Sequence, residues 1–459
     1  MDLFSPDDPR PVHFVGIAGA GMSALALLAR RRGVPVNGCD ADPAQAADVV
    51  AAGAQVMAGH DPAHVGGARA VVYTAAVPPD HPELEAARQA GIPVVRRAAA
   101  LAQVVAGATL VGVAGTHGKT TTTVMTTDAL TAAGREPTGL AGGRVRAWGG
   151  NALLGGSELF VVEADEYDRS FLELWPTVAV VNNVEADHLE CYGTVGALEE
   201  AFVTYAGRAG RVLVGADDAG ARRVGAALGE TRWLVGQARD ADLRIGPVQA
   251  DAAGSRAELA LPDGRTCMLR LRVPGLHNVR NAAMAVGVAA ALDAPLAPVL
   301  EGLASFAGVG RRFDLVGEAA GVVLVDDYAH HPTEVAATLA AARQRFPEAR
   351  LVAVFQPHLY SRTAALGEAL GIALSLADVV VVTEVYAARE RPMPGVSGRL
   401  VATAAERAGA SMVWVPERAE VVHEVSRLVR AGDVVLTLGA GDVTQVGPEL
   451  LGVLRGRAA

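Results

Sequence analysis

The sequence predicts an α/β protein of three domains, with a Rossmann-like domain at each end and a mixed-sheet domain of the P-loop type between them. The chain has 459 residues, which suggests roughly three domains at about 150 residues per domain. Short apolar strands alternate with helical segments in three successive stretches, a pattern typical of parallel sheets. Glycine-rich turns follow two of these strands, at the edge where such sheets bind phosphate groups.

The first domain is predicted over residues 1–106. A helix at residues 23–32 follows a glycine-rich turn, and short apolar strands are predicted at Val12–Val15 and residues 34–38, 70–74 and 92–95. The turn, Gly16-Ile-Ala-Gly-Ala-Gly21, fits G-x-x-G-x-G and not the dinucleotide fingerprint G-x-G-x-x-G. Asp40 follows the second strand, where a ribose-binding acid would lie. NAD, FAD, another nucleotide diphosphate, or simple packing of helix on strand would each satisfy this spacing.

The central domain is predicted over residues 107–310. The strand Thr109–Ala114 leads into Gly115-Thr-His-Gly-Lys-Thr120 and a threonine-rich helix that ends near residue 133. Later elements of this domain are expected as strands at 159–162 and Val178–Val181, an antiparallel hairpin within 242–273, and helices at 279–292 and 297–306.

The third domain is predicted over residues 311–459 and repeats the doubly wound layout. Its strands are expected at residues 322–325, 351–355, 379–383, 412–415 and 434–438. Glycine, histidine and acidic residues gather where strands of all three domains end. Because the carboxyl ends of parallel strands share one edge, ligands are expected there.

Composition excludes several classes of function. A net charge of −10 with 20% charged residues gives no electrostatic reason to expect a nucleic-acid partner. Cys39, Cys191 and Cys267 are odd in number and widely spaced, which predicts neither a disulfide framework nor a structural zinc site. The N-terminus does not resemble a signal peptide and no apolar run is long enough to cross a bilayer, so a cytoplasmic protein without membrane association is expected.

Lys119 is the only lysine among the 40 lysine and arginine residues of the chain. It lies inside the loop that joins a strand to a helix, where backbone N–H groups and a helix N-terminus bind phosphates. A compact ammonium fits beside a phosphate where a planar guanidinium does not. The loop departs from the strict P-loop pattern, which has glycine where this chain has Val113. We therefore predict a variant phosphate loop, with a plain turn into a helix as the alternative.

Two further side chains are candidate metal ligands. Glu163 ends a predicted strand, and in phosphate-loop enzymes a carboxylate on a neighbouring strand holds the metal. His188 ends the segment Asn-Val-Glu-Ala-Asp-His, close to several acidic residues. The alternatives are an exposed acid at a strand end and a surface histidine.

Taken together, these motifs resemble the Mur ligases, and the resemblance covers the whole chain. The segments that carry it are residues 16–23, 115–123, 163–168, 183–188, 275–281, 311–313, 326–334 and 355–363. The resemblance implies that the first domain binds the UDP end of a sugar nucleotide. It also implies a P-loop ATPase-like central domain for ATP and Mg²⁺, and a last domain that closes on ATP and an amino acid.

The implied activity is ATP-dependent joining of L-alanine to the lactyl carboxylate of UDP-N-acetylmuramate, through an acyl phosphate, in peptidoglycan precursor synthesis. The implied cofactors are ATP and two Mg²⁺ ions, with Mn²⁺ as an alternative metal. Crowding of negative charge between the nucleotides and the carboxylate is the physical reason for two ions. A monomer or a weak homodimer is expected.

Site roles follow from the resemblance residue by residue. Catalysis is assigned to Lys119, Glu163 and His188, and metal binding to Thr120, Glu163 and His188. The expected ATP-binding residues are Gly115, Thr116, His117, Gly118, Lys119, Thr120, Thr121, Asn278, Arg312 and Asp327. The expected substrate-binding residues are Gly16, Gly19, Gly21, Met22, Asp40, Tyr328, His330, His331 and Arg362.

The sequence also departs from the family pattern. Leu359 stands where the family commonly has arginine, and Ala18 and Ala329 replace usual glycines. The carbamylated lysine that several related ligases use is impossible here, because Lys119 already lies in the phosphate loop.

Three alternatives remain open. A recycling ligase that adds a preformed tripeptide to the same UDP-sugar would share most motifs. A nicotinamide-dependent dehydrogenase would explain the first domain but leave Lys119, Glu163 and His188 without a role. A non-catalytic nucleotide sensor would need the phosphate loop but not the polar clusters at residues 328–331 and 356–358.

Overall fold

The computed structural model describes residues 3–388 and 390–458 and contains three separate sheets flanked by helices, which confirms the predicted α/β class. The chain divides into two compact units. Unit 1 comprises Met1–Pro247, Ala257–Leu269 and Arg280–Phe306, and unit 2 comprises Val248–Arg256, Arg270–Val279 and Ala307–Ala459. Unit 1 thus contains the first sheet and most of the second, whose strand β14 at Gln249–Asp251 lies in unit 2. The predicted domain boundaries at residues 106 and 310 stay predictions.

The first sheet has five parallel strands in the order β3-β2-β1-β4-β5. Its elements are β1 Val12–Val15, α1 Ala20–Arg31, β2 Val36–Asp40, α2 Ala47–Ala51, β3 Gln55–Ala58, β4 Ala70–Tyr73, α3 Pro82–Gln89, β5 Val94–Arg96 and α4 Arg97–Val105. All four residues of β1 are buried, which is why a short apolar run predicted this strand correctly. The edge strand β3 was not predicted, because none of its side chains is buried.

The second sheet has eleven strands in the order β14-β15-β13-β12-β11-β10-β6-β9-β7-β8, with β16 paired to β15. Its strands are β6 Thr109–Ala114, β7 Thr138–Val145, β8 Gly150–Leu153, β9 Leu159–Glu163, β10 Val178–Val181, β11 Arg211–Gly215, β12 Arg232–Gly236, β13 Leu243–Ile245, β14 Gln249–Asp251, β15 Gly254–Ala260 and β16 Thr266–Leu271. The helices of this stretch are α5 Lys119–Ala132, α6 Leu189–Tyr192, α7 Val195–Ala206, α8 Ala219–Ala226, α9 Leu276–Ala291 and α10 Leu296–Ser305. The central strand β6 lies between β9 and β10 and is parallel to both, so the segments that follow these three strands share one edge.

The third sheet has six strands in the order β17-β18-β22-β19-β20-β21. Its elements are β17 Asp314–Ala319, β18 Val322–Asp327, α11 Pro332–Arg345, β19 Arg350–Phe355, α12 Tyr360–Leu374, β20 Val379–Val382, α13 Arg399–Arg407, β21 Met412–Trp414, α14 Arg418–Leu428, β22 Asp433–Leu438 and α15 Val446–Ala458. Strand β17 is antiparallel to β18, and the other strand pairs are parallel. The five predicted strands are present, and β17 is an additional edge strand.

Apolar side chains fill both faces of the central strands, as parallel sheets covered by helices require. Across the two described stretches of the chain, every helix is too short or too polar to span a lipid bilayer.

Candidate active site

The phosphate-loop segment joins β6 to α5 in unit 1. Gly115 and Gly118 have φ of 136° and 78°, and Gly118 is the N-cap of α5. A Cβ atom at Gly118 would lie 2.7 Å from Asn281 Oδ1, and one at Gly115 would lie 3.0 Å from Asn182 Cβ. Both glycines are therefore required by backbone conformation and by space. The loop leads into a helix N-terminus, which favours anions.

Two asparagines that follow β10 hold this loop in place. The backbone N–H of His117 donates to Asn183 Oδ1 at 2.7 Å, and the Thr116 N–H donates to the Asn183 carbonyl at 3.1 Å. The side-chain amides of Asn182 and Asn183 both donate to the His117 carbonyl at 3.2 Å. The loop conformation is thus set by the neighbouring strand before any ligand binds.

The ammonium of Lys119 lies among oxygen atoms. Its Nζ donates to the Gly115 carbonyl at 2.8 Å and contacts both carboxylate oxygens of Glu166 at 2.8 Å. Burial alone would lower the pKa of Lys119, but Glu166, Asp165 and Glu163 outweigh it and raise the pKa above its usual value. Burial raises the pKa of Glu166, against the lowering effect of Lys119. The lysine is therefore held charged, and a poorly solvated carboxylate occupies the position of an anion beside it.

Glu166 is the site residue that the sequence prediction missed. The signal was present, since Glu166 lies three residues after Glu163 in the same strand-end segment. The hydroxyl of Tyr192 donates to the Glu166 carbonyl at 2.6 Å and so anchors its backbone. Nothing in the sequence distinguishes which of three nearby acids faces the lysine, because that choice depends on the turn after β9.

Glu163 lies at the end of β9, as predicted, and accepts a hydrogen bond from the Gly142 N–H at 2.6 Å. Thr120 and Thr121 are buried in the first turn of α5. A carboxylate, a threonine hydroxyl and the aspartate at position 165 offer oxygen atoms of the kind that Mg²⁺ prefers. The residue types at this edge therefore fit the predicted metal.

His188 adopts a left-handed backbone conformation, with φ of 53°, at the N-cap of α6. Its Nε2 is 3.7 Å from Asp187 Oδ2 and its Nδ1 is 3.5 Å from Glu190 Oε1, while Tyr167 packs edge-on against the ring. Positive φ is uncommon for a residue with a Cβ and is enriched where a side chain must be aimed. The metal role of His188 stays a prediction.

The glycine turn of the first sheet is shaped by β2. The backbone N–H of Gly16 donates to the Cys39 carbonyl at 2.9 Å, and the Ala18 N–H donates to Asp40 Oδ2 at 2.9 Å. Gly16 has φ of 80° and Gly19 is the N-cap of α1. Asp40 therefore orients the turn, and its contact with a ribose stays a prediction.

At the start of α1, Gly21 leaves space for a neighbouring side chain and Met22 packs the glycine turn. A Cβ at Gly21 would lie 2.8 Å from Nη1 of Arg97, so the glycine leaves room for that guanidinium beside the start of α1. Met22 is buried and its N–H donates to the Gly19 carbonyl at 2.9 Å, so its role is packing of the turn. Arg97 is a cation next to a predicted pyrophosphate site that the sequence prediction did not include.

Unit 2 brings together the predicted substrate residues that follow β18 and β19. Arg311 and Arg312 lie over the Tyr328 ring at 4.8 and 5.1 Å, and His330 Nδ1 is 2.9 Å from the Tyr328 carbonyl. The Arg362 guanidinium is 3.3 Å from His358 Nδ1. These side chains form a cationic and aromatic cluster.

His331 and Leu359 stand at helix starts in the same unit. His331 is buried and caps α11, with its Nδ1 accepting from the Thr333 N–H and with Glu334 completing a capping box. Leu359 has φ of 67° and precedes α12. His331, a predicted substrate residue, thus acts as the N-cap of α11. Leu359, which replaces the arginine common in the family, has a strained backbone conformation.

Asp327, Arg312 and Asn278, the predicted nucleotide residues of unit 2, have partners of their own. Asp327 accepts from the backbone N–H groups of Phe313 and Ala329 at 2.7 and 2.8 Å, and burial raises its pKa to about 6. Arg312 is 3.7 Å from Glu334. Asn278 is buried and donates to the Pro274 carbonyl at 2.7 Å. Their contacts with a nucleotide stay predictions.

Models of three Mur ligase domains match the chain. The "Mur ligase family, catalytic domain" matches residues 11–109, the "Mur ligase middle domain" matches residues 113–289 and the "Mur ligase, glutamate ligase domain" matches residues 311–441. The chain belongs to the Mur ligase family. The resemblance seen in the sequence motifs is thereby confirmed, and the central match contains the whole phosphate loop.

Relatives within the Mur ligase family are similar over nearly the full length. The UDP-N-acetylmuramate–L-alanine ligase of Cutibacterium acnes is 45% identical over 467 residues, covering 100% of this chain and 99% of its own. That of Kineococcus radiotolerans is 48% identical, covering 97% and 96%.

Solved structures of Mur ligases share the fold. The UDP-N-acetylmuramate–alanine ligase of Thermotoga maritima has 30% identity and a TM-score of 0.83, covering 98% of this chain and 100% of its own. A murein peptide ligase from Psychrobacter arcticus has 26% identity and a TM-score of 0.73, covering 97% and 99%.

Proposed function

We propose that this Mur ligase joins L-alanine to the lactyl carboxylate of UDP-N-acetylmuramate at the expense of ATP, the first amino-acid addition in peptidoglycan precursor synthesis. The carrying observation is the 45–48% identity, over nearly the entire chain, to ligases named for that reaction. The half-buried Lys119 at the start of α5 supports it, because it provides a fixed cation at a helix N-terminus.

The reaction has two bond exchanges. The γ-phosphoryl group moves from ATP to a lactyl carboxylate oxygen, and ADP leaves. The alanine amine then attacks the carbonyl carbon, the bond to the phosphate oxygen breaks, inorganic phosphate leaves and the ammonium proton is lost to a base. Activation is needed because a carboxylate is a poor electrophile at neutral pH, whereas an acyl phosphate is a good one.

Lys119 and Glu166 define how the loop receives a triphosphate. Both carboxylate oxygens of Glu166 lie 2.8 Å from Nζ, where phosphate oxygens are expected. A bound triphosphate replaces this carboxylate and keeps Lys119 charged. The backbone N–H groups at the start of α5 then act with Lys119 to stabilise negative charge as the phosphoryl group is transferred.

Thr120, Glu163 and His188 are proposed to hold two Mg²⁺ ions. The hydroxyl and carboxylate oxygens suit Mg²⁺ or Mn²⁺, and the acidic segment around residues 163–166 gives the charge that such ions need. The imidazole of His188 would add one nitrogen ligand. When bound, the ions supply neutralisation of the crowded phosphate and carboxylate oxygens.

The glycine turn and Arg97 are proposed to bind the pyrophosphate of the UDP-sugar, and Asp40 its ribose. A UDP-sugar is favoured over NAD because the turn lacks the G-x-G-x-x-G spacing and a cation stands beside Gly21.

Within the cationic and aromatic cluster of unit 2, Tyr328, His330, His358 and Arg362 are proposed to hold the amino acid, whose carboxylate suits Arg362. We place the enzyme in the cytoplasm as a monomer or weak homodimer.

Phosphate release from ATP tests this proposal directly. Purified protein with UDP-N-acetylmuramate, Mg²⁺ and L-alanine should release phosphate and form the amide product, and omission of either substrate should abolish turnover. Amide formation with a tripeptide in preference to L-alanine would identify the recycling ligase. Turnover of NAD, or tight nucleotide binding without any ligation, would support the dehydrogenase or the sensor instead.

A further inference from the structure

A second group of metal-binding side chains lies in the first sheet, outside the residues assigned above to ATP or its metals. His13 in β1, Cys39 in β2 and Glu83 in α3 are all fully buried, and their ligand atoms lie within 4.8 Å of one another. His60 and His64, in the turn that follows β3, contact the same atoms. Five side chains capable of binding a transition metal thus converge from four segments of the chain.

The distances within this group approach those around a tetrahedral zinc ion. Cys39 Sγ is 3.0 Å from Glu83 Oε2, 3.2 Å from His60 Nδ1 and 3.8 Å from His13 Nε2, and His13 Nε2 is 3.3 Å from Glu83 Oε2. Sulfur, nitrogen and oxygen ligands at ordinary zinc bond lengths are separated from one another by about 3.3–3.7 Å. Small shifts are therefore enough to place one ion between them.

The orientation of His13 points to a ligand on its Nε2 side. Its Nδ1 is 3.0 Å from Asn37 Oδ1, which accepts only from a protonated nitrogen. With that tautomer, the Nε2 lone pair is directed toward the Glu83 carboxylate 3.3 Å away, so both groups could coordinate one cation. Fixing a histidine tautomer through its other nitrogen is the usual outer-shell arrangement of protein metal sites.

The Glu83 carboxylate oxygen Oε1 has further hydrogen-bond partners in the segment that follows β3. It accepts from the Asp61 N–H at 2.8 Å, lies 3.1 Å from His64 Nδ1 and accepts from the Cys39 thiol at 3.2 Å. Oε2 is the oxygen nearer to Cys39 Sγ, at 3.0 Å, and it also lies 3.3 Å from His13 Nε2. The His60 side chain is 32% exposed, so an ion can reach the buried group from that side. A thiolate and a carboxylate together balance the charge of a divalent ion.

We propose that His13, Cys39 and Glu83 form a zinc-class site in the first sheet, with His60 completing it from the solvent side. The ligand is a borderline-soft divalent cation such as Zn²⁺, and Cys39 gives up its thiol proton to solvent when the ion binds. Asn37 and His64 act as outer-shell groups. The cysteine spacing could not predict this site, because only one cysteine takes part.

The site would fix the end of β2 behind the glycine turn. The Cys39 carbonyl accepts from the N–H groups of both Gly16 and Ile17, at 2.9 and 3.1 Å. An ion bound to the Cys39 side chain therefore ties the turn to β1 and α3. Because such binding favours the folded state over the unfolded state, Zn²⁺ should raise the thermal unfolding midpoint of the full chain.

The test uses the full-length protein freed of metal by a chelator and then titrated with Zn²⁺ against a chromophoric competitor, in excess Mg²⁺. One Zn²⁺ per chain should bind, and the Cys39→Ser variant should lose this binding, while Cys191→Ser and Cys267→Ser keep it. Asn37→Ala should weaken it by roughly 10–100-fold, as loss of an outer-shell partner does. With Co²⁺ in place of Zn²⁺, a thiolate charge-transfer band should appear in the wild type and be absent from Cys39→Ser.

Circular dichroism of the metal-free variants checks that they fold. If Cys39→Ser is unfolded, His60→Ala at the partly exposed position serves instead and should also weaken Zn²⁺ binding and remove the rise in unfolding midpoint. Equal Zn²⁺ affinity in wild type, Cys39→Ser and His60→Ala, or no stoichiometric binding in the wild type, would overturn the proposal. The group would then be a hydrogen-bonded network closed by a proton.

Discussion

Lys119 is the residue whose substitution tests the proposed ligase activity most directly. It is the only lysine, and it contacts the Gly115 carbonyl and both oxygens of Glu166 at 2.8 Å. We expect Lys119→Arg to abolish ligation while leaving the fold intact, because a planar fork cannot occupy the place of a compact ammonium. The measurement is phosphate release together with circular dichroism, and Arg146→Lys is the control for a surface exchange of the same two residue types. A folded Lys119→Arg protein with substantial turnover would disprove the assigned role.

His188 is expected to act through metal binding. His188→Ala should raise the Mg²⁺ concentration needed for half-maximal activity by at least roughly tenfold, in line with the loss of a metal-site partner. His423→Ala in α14 is the control, since the contact that His423 makes with the Ser426 hydroxyl uses its backbone carbonyl, which the substitution keeps. An unchanged Mg²⁺ dependence of His188→Ala would remove this residue from the metal site.

The buried carboxyl group of Asp327 should make the free energy of unfolding depend on pH. Burial raises the pKa of this carboxyl from 3.8 to about 6 in the folded protein. The folded state therefore binds more protons than the unfolded state between about pH 4 and 6, and the free energy of unfolding falls as pH rises through that window. The contribution is at most about 3 kcal/mol. Asp327→Asn should flatten this slope relative to the wild type in urea unfolding at pH 4.5 and 7, and an identical slope in both proteins would contradict the assignment.

At the scale of elements, the connection from β6 to α5 depends on the two glycines of the phosphate loop. Gly118→Ala should reduce activity at least roughly a hundredfold, because the new Cβ would meet Asn281 Oδ1 at 2.7 Å in addition to the strain of φ 78°. Gly134→Ala at the other end of α5 is the matched control. It has φ of 74° and no atom within 4 Å of the added Cβ. Equal effects of the two substitutions on kcat would show that backbone strain alone matters.

The elements that the sequence predicted best are those whose burial is continuous. Strands β1, β6 and β10 have the predicted ends, because each is an almost wholly buried apolar run bounded by turn residues. Strands β3 and β17 were missed, since these edge strands carry exposed and polar side chains that leave no apolar run. Strands β7, β8, β11 and β12 were also not predicted, although most residues of β8 and β11 are buried. The helix α1 starts three residues earlier than predicted, at Ala20, because the glycine turn itself forms its first turn.

The positions of the candidate site residues could be predicted from the sequence, but their pairings could not, and their roles stay predictions. Glu163 ends β9, and the loop glycines, Lys119 and His188 lie in the segments after β6 and β10, which periodicity can locate. Glu166 and Arg97 were missed because their places are set by a turn and by a helix from another part of the chain. Such contacts depend on tertiary packing, which no local pattern encodes.

At the scale of the whole molecule, the amino substrate distinguishes this ligase from the tripeptide-adding ligase of the same family. We expect kcat/KM for L-alanine to exceed that for L-alanyl-γ-D-glutamyl-diaminopimelate at equal UDP-sugar. A pocket for one methyl group can close, whereas a tripeptide needs partners for additional carboxylates. Glycine and serine should be slow substrates and not inert, since each added group changes discrimination by only about 1–3 kcal/mol. A preference for the tripeptide would overturn the substrate while leaving the ATP-driven chemistry in place.

The identity of the nucleotide bound at the proposed site of the first sheet distinguishes the ligase hypothesis from the dehydrogenase hypothesis. UDP-N-acetylmuramate should bind to the full-length protein without ATP, and NAD should not compete with it. Arg97→Ala should weaken the UDP-sugar at least roughly tenfold, because it removes the cation beside Gly21. Arg88→Ala in α3, which donates only to the Pro79 carbonyl, is the control. Displacement of the UDP-sugar by NAD would favour the dehydrogenase.

The pairing of Lys119 with Glu166 can also be followed by chemical labelling of amines. Acylating reagents that attack neutral amines find a single side-chain target in this chain, and that target is held as an ammonium by a carboxylate. Labelling should therefore stop at the N-terminal amine under brief treatment, and a second label on the intact mass should report how often the pair opens.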